Sequence, residues 1–249
     1  MLKYAPDGAV VWDATFGDSI TQKAASLAVD SADNVILFGR FIGSMDFGGA
    51  GTLDSSSGGA YDLFVAKLTS DGVPIWAQRF GSSDSENAFD VAVDASDSVL
   101  LTGSFQGTVD FGTGPMTAPN PDSEFLVKLS SGGTPTWAKQ WNGYQSQYAV
   151  AADGDLNVVV TGWFSGTVDF GGPDLTGGSM YCLKLDANGD HLWSKSYGEA
   201  GSLSAAPYAL AVDGDNHILV GGWAAGGIDL GTGPLPGVGE EIFVAKYAP

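Results

Sequence analysis

The stretch "AVDASDSVLLTGSFQGTVDFG", residues 92–112, decides the fold. An apolar run closes on an acid, Asp94, a short polar turn follows, a second apolar run comes next, and then Gly107 and Gly112 bracket Asp110. The same text is written four times. With Asp30, Asp94, Asp153 and Asp213 as anchors, a glycine stands nine residues on (Gly39, Gly103, Gly162, Gly222), another thirteen on (Gly43, Gly107, Gly166, Gly226) and an acid sixteen on (Asp46, Asp110, Asp169, Asp229). Four copies of one spacing, with nothing inserted or lost, define an internal repeat of the kind that must be recognised before any motif is weighed.

A second rigid block runs from a Lys to a Trp nine residues later: Lys3 to Trp12, Lys67 to Trp76, Lys128 to Trp137 and Lys184 to Trp193. A fifth Lys, Lys246 in "FVAKYAP", has no Trp after it, so the chain begins and ends midway through a unit. Each unit contains four short apolar stretches separated by Gly, Asp, Asn and Ser turns, in the second unit "AFDVAVD", "SVLLTGSF", "EFLVKL" and "TWAKQW". These are strands a, b, c and d. No segment keeps a 3.6-residue period, which predicts almost no helix.

Repeated four-stranded units of about 60 residues describe the blades of a β-propeller. The expectation is one all-β domain over 1–249, with blades at about 24–80, 88–141, 147–197 and 207–249 plus 1–16. The last blade would take strand d from "AVVWDATF", closing the ring through paired N- and C-terminal strands. Ala28, Ala92, Ala151 and Ala211, two before each anchor, suit crowded innermost strands.

Composition narrows the partners. At 44% hydrophobic, the 249 residues suffice for a substantial core. Twenty-nine acidic against 10 basic residues give a net charge of −19, a field that repels nucleic acid and anionic membranes but leaves cations and neutral polar ligands such as sugars. No apolar run reaches the length of a membrane-spanning helix, and "MLKYAPDG" lacks the features of a signal peptide. The lone Cys182 says little about redox compartment.

The phrases "FVAKLTSDGVPIWAQRFG", "AVDASDSVLLTGSFQGTVDFG" and "FLVKLSSGGTPTWAK" resemble the SBBP repeat, a bacterial β-propeller repeat of secreted and cell-surface proteins. The resemblance covers essentially the whole chain. It implies the fold and an extracellular or surface setting, and supplies no catalytic set. The family's name implies seven blades, whereas four units are present here: a four-bladed ring, a piece of a larger one, or half of an eight-bladed dimer.

The units differ in their connections. From the second Asp to the Lys, spanning b to c, the distances are 21, 18, 15 and 17 residues; from Trp to the next anchor, spanning d to a, they are 18, 18, 16 and 20. In an up-and-down blade these connections share one face, so the length variation falls on one side, where a rigid scaffold would display specificity. The loops include "GGAGTLDSSSGGAYD", which contains Tyr61, and "NGYQSQY", which contains Tyr144. Equally, these loops could drift because nothing selects them.

For the "DFG" phrases, an Asp accepting backbone N–H groups in a Gly turn is the structural reading. The functional one gives Asp46, Asp110, Asp169 and Asp229 to Ca²⁺. The a–b turns "DSADN", "DASDS", "DGDLN" and "DGDNH" read as hairpin turns rather than EF-hands. His191 and His217 fall at solvated turn positions and Cys182 in strand c, so no Ser-His-Asp or His-ligated metal centre is expected. Trp12, Trp76, Trp137 and Trp193 read as packing between blades. Trp163 and Trp223 stand where other units have Arg40 and Ser104, and with Tyr61 and Tyr144 they are the candidate ligand residues.

The leading expectation is a non-enzymatic display or recognition scaffold for a glycan or protein, needing no cofactor and monomeric, with a ring-completing dimer as the alternative. A metal-assisted hydrolase or lyase using Asp18, Asp84 or Glu86 is the enzyme-class rival, and a purely structural segment of a longer array the third reading. An enzyme would gather its acids asymmetrically in one pocket, whereas a scaffold would distribute them evenly.

Overall fold

The computed structural model describes all residues except 57–58, 120–121, 142–143, 199–204, 226–227 and 235–238, together with the side chains of 144, 145 and 147. Strands a to d of the first sheet are Thr21–Val29, Val35–Ile42, Asp62–Leu68 and Pro74–Phe80. Those of the second are Glu86–Val93, Val99–Phe105, Ser123–Leu129 and Pro135–Trp141. The third has Tyr144–Ala152, Val158–Ser165, Met180–Leu185 and His191–Tyr197, and the fourth three strands, Ala205–Val212, Ile218–Ala225 and Glu240–Tyr247. In every sheet the spatial order is the chain order and all pairing is antiparallel. Among the described residues the helical content is one 3₁₀ turn, Gly48–Ala50.

The core lies between sheets. Strand b of the first three sheets is buried on both faces: Ile36 and Phe38 join Val91, Val99 and Leu101 between the first and second sheets, while Leu100 joins Val150, Val158 and Val160 between the second and third. Val159, Met180, Ile218 and Val220 fill the third junction. The "DFG" phrases supply plugs for these seams. Each leads a small side hairpin or bridge between b and c, and Phe47, Phe111, Phe170 and Leu230 are buried behind it. The Phe111 ring lies 4.7 Å from Phe125, and Phe170 the same distance from Tyr181.

The glycine nine after each anchor also has a structural cause. Every strand a carries a β-bulge at the same place, so that Ala25, Phe89, Tyr148 and Tyr208 have no partner in the ladder. The bulge drives a carbonyl of strand a into strand b. A Cβ on Gly39, Gly103, Gly162 or Gly222 would lie 2.1, 2.0, 2.0 and 2.1 Å from the oxygens of Lys23, Asn87, Ser146 and Ala206, closer than any side chain can be tolerated.

The rim formed by the a–b and c–d turns is polar and regular. Asp30, Asp94 and Asp153 form buried ion pairs with Lys67, Lys128 and Lys184 at 2.7, 2.9 and 2.8 Å. Burial opposes ionisation of Asp30, but Lys67, Asn34 and the N–H groups of the turn outweigh it and hold the carboxyl down at about 2. Lys67 also donates to the Ser131 carbonyl in the c–d turn of the next sheet, and Trp76 donates its indole N–H to the same oxygen. Lys128 and Trp137 converge likewise on Ala187, and Lys3 and Trp12 on Ser70. Trp12, Trp76 and Trp137 thus hydrogen-bond across to the neighbouring unit.

Among the described residues the terminal clasp is not formed: Leu2–Tyr4 pairs with Val10–Asp13 as a separate hairpin, and Glu240–Tyr247 pairs with Ile218–Ala225. The reason is positional. Lys3 faces Trp12 as Lys67 faces Trp76, so Leu2–Tyr4 is itself a strand c and already fills the edge that Val10–Asp13 would have offered to the C-terminal strand. Residues 1–16 therefore do not complete the fourth sheet.

Candidate functional site

Among the described residues the four "DFG" acids do not come together as one group. Asp46, Asp110, Asp169 and Asp229 each accept the N–H two residues on at 2.7 Å, from Gly48, Gly112, Gly171 and Gly231, and each serves its own turn on its own sheet. Among the described residues, one group of potential metal ligands clusters: Asp213, Asp215 and His217, in the fourth a–b turn. Asp213 there accepts from the Asp215 and His217 N–H groups and from Lys246 at 3.0, 2.9 and 2.7 Å. These are the bonds that Asp30 and Asp153 make in their own turns, so the cluster is the repeat's turn with a His in place of Asn34 or Asn157.

Of the acids named for the enzyme reading, Asp18 accepts from the Ile20 and Ser44 N–H groups, both at 2.7 Å, which lower its pKa. Asp84 lies against Gly107. Glu86 is fully buried at the junction of the first and second sheets, where burial, helped by the charges of Asp62 and Asp84, pushes its pKa up to about 7 against the opposing hydrogen bonds of Ser82. Asp62, also fully buried, is held by Ser56 and Arg79, and its Oδ1 has no hydrogen-bond partner among the described residues. The equivalent positions carry Gln22, Gln145 and Ala205 for Glu86, and Ser123, Ser179 and Glu241 for Asp62, so this acidic pair belongs to one junction alone. Cys182 is buried, and burial raises its thiol to about 12. His191 sits 3.0 Å from Ser194 Oγ.

The ligand residues expected from sequence do not form one site. Tyr61 is covered by the Arg40 guanidinium, 4.3 Å above its ring, and Arg40 also donates to Asn87. Trp163 is half-buried and lies four residues from Val159 on the same strand, which places it on the face toward the fourth sheet. Tyr144 begins strand a of the third sheet, and its side chain lies outside the described residues. Trp223 has company: its indole N–H donates to the Tyr208 hydroxyl at 3.3 Å, and the Tyr208 ring meets Tyr148 edge-on at 5.2 Å.

Tyr148 and Tyr208 were not singled out in the sequence. They are the bulge residues of the third and fourth sheets, and a bulge re-aims a side chain out of the ladder. Their signal was five residues before the anchor, where Ala25 and Phe89 stand in the other units. Asp90 steadies this inner region by accepting from Ser26 Oγ at 2.8 Å and from the Val150 N–H at 3.0 Å, which ties together strand a of the first three sheets. With Tyr208 61% exposed, the cluster offers a rigid aromatic surface and a hydroxyl to solvent.

No family model matches the chain. It is 25% identical over 201 residues to an uncharacterized WD repeat-containing protein of Acanthamoeba polyphaga mimivirus, a match covering 68% of this chain and 14% of that protein. Among solved structures, a protein of unknown function from Bacteroides caccae aligns over 97% of this chain and 66% of its own, with 11% identity and a TM-score of 0.49. The chain thus spans only part of each of these proteins.

Proposed function

We propose that this protein is a propeller-type recognition scaffold that binds a neutral carbohydrate on the aromatic cluster Tyr148–Tyr208–Trp223. One observation carries the reading: an exposed Tyr ring is fixed by a hydrogen bond to an indole and by an edge contact to a second Tyr. Rigid rings of this kind give a sugar's C–H face a flat apolar surface while their hydroxyls take its polar edge, with little entropy lost on binding. The net charge of −19 favours a neutral ligand over phosphate or an acidic sugar. The SBBP-like text and the WD-repeat name of the mimivirus relative both support a propeller, and the former a bacterial surface or extracellular setting. The scaffold itself is read as non-enzymatic.

The test is titration with a panel of neutral oligosaccharides followed by tryptophan fluorescence and calorimetry. Binding that quenches fluorescence and disappears in Tyr208→Ala, with the melting temperature unchanged, is expected. Equal binding by parent and variant would refute the assignment.

A further inference from the structure

At the internal junctions, the strand c residues that face the next sheet are sealed: Leu63, Val65, Leu126, Met180 and Cys182 are all 0% exposed. Their counterparts on the fourth sheet, Ile242 and Val244, are 92% and 78% exposed. The other end of the stack is open in the complementary sense along strand a, while Met1 and Phe16 pack against Leu37 and Phe64 farther along the same sheet. Leu27 on strand a of the first sheet is 56% exposed, whereas its counterparts Val91 and Val150 are buried. It borders a groove of about 420 Å³ shared with Trp12, Val29, Asp33 and Val35. One end carries the donor half of the repeating junction and the other the acceptor half, and among the described residues no core cluster joins them within the chain.

We propose that the fourth sheet of one copy docks on the first sheet of a second copy, repeating head to tail the junction made between consecutive sheets within the chain. The polar positions match. In the first junction Ser31, one residue after its anchor, donates to Asp97, three after the next anchor; in the third junction Gly154 donates to Asn216 in the same way. The same step sets the Gly214 N–H against Asp33 of the partner subunit. Arg40 reaches Asn87 across the first junction, and the equivalent pair is Trp223 with Lys23 of the partner subunit, a cation facing an aromatic ring.

Strand c of the docking copy and Leu2–Tyr4 occupy the same repeat position, and both run into the text Lys-Tyr-Ala-Pro, at 3–6 and 246–249. The eight-residue strand Glu240–Tyr247 displaces the three-residue strand Leu2–Tyr4 from its pairing with Val10–Asp13, so that Lys246 faces Trp12 of the partner subunit. A head-to-tail contact of this type closes into a ring or continues as a filament.

The experiment is light scattering with small-angle scattering over a wide concentration range. The expected result is a mass that rises from 25.5 kDa toward twice that value or beyond, more readily at high salt, because screening relieves repulsion between two chains of charge −19. Ile242→Asp, at a position too exposed to affect folding, should restore the monomer, and Lys23→Glu should weaken assembly. A mass of 25.5 kDa at every concentration, or assembly unaltered by Ile242→Asp, would overturn the proposal. A compact monomer that opens in Ile242→Asp would overturn it too, since the same faces would then close within one chain.

Discussion

The two rims of the sheet stack are built from the same strands and follow different rules. At the a–b/c–d rim, an Asp, a Lys and a Trp recur at fixed spacing, and Lys67, Trp76, Lys128 and Trp137 each reach the next sheet's turn carbonyl. In the b–c connections the polar side chain that repeats is the "DFG" Asp, which accepts a backbone N–H in every unit, whereas at the b–c/d–a rim the first junction has Arg40, Asp62 and Glu86 where other units have Ser, Trp, Gln, Ala or Glu. The difference teaches that polar groups are repeated where they satisfy backbone groups, which every unit has, and are free to differ where they satisfy only each other.

The largest effect that would sharpen this contrast is Lys128→Met. It leaves the Asp94 carboxylate buried without its cation and also removes a bond to the third sheet, so a loss of about 3–5 kcal/mol in urea unfolding is expected. A loss no larger than that of an exposed ion pair would break the comparison.

Next comes Gly103→Ala, whose Cβ would stand 2.0 Å from the Asn87 carbonyl. A cost of about 1–3 kcal/mol or more is expected from the forced backbone shift. Gly221→Ala is the control, because its Cβ meets nothing nearer than 3.8 Å. Equal costs at the two sites would remove the bulge as the reason for the repeated glycine.

Glu86→Gln probes the variable rim and depends on pH. The folded carboxyl titrates near 7 against a reference of 4.5. Below the reference value the group is neutral folded and unfolded and makes no difference. As pH rises from there to about 7, the unfolded chain releases the proton while the folded chain keeps it, so stability falls, by on the order of 3 kcal/mol once both are ionised. The variant should therefore match the parent at about pH 4 and exceed it at about pH 8, with Gln22 and Gln145 as precedents within the chain. A constant difference across this range would show that Glu86 does not ionise in a buried place.

Much of the fold was legible because its causes are local. Alternating apolar runs and turn residues gave strands a to d, and the "DFG" Asp was readable as a turn acceptor because Gly112 supplies the N–H two residues on, at φ +91°. The candidate site was legible only in part. Trp223 stood out as a departure from the repeat, whereas Tyr148 and Tyr208 did not, because a bulge leaves no mark in composition and shows only when two strands are paired.

By itself, the sequence determined the repeat, its strands, its turns and the Lys–Trp pairs, since each follows from spacing and short-range hydrogen bonding. Tertiary structure alone decided which faces are covered. Val65 and Val244 hold the same place in the repeat, and one is sealed while the other is 78% exposed. Burial depends on what lies on the far side of a sheet, and in this chain that neighbour is about 60 residues away in sequence.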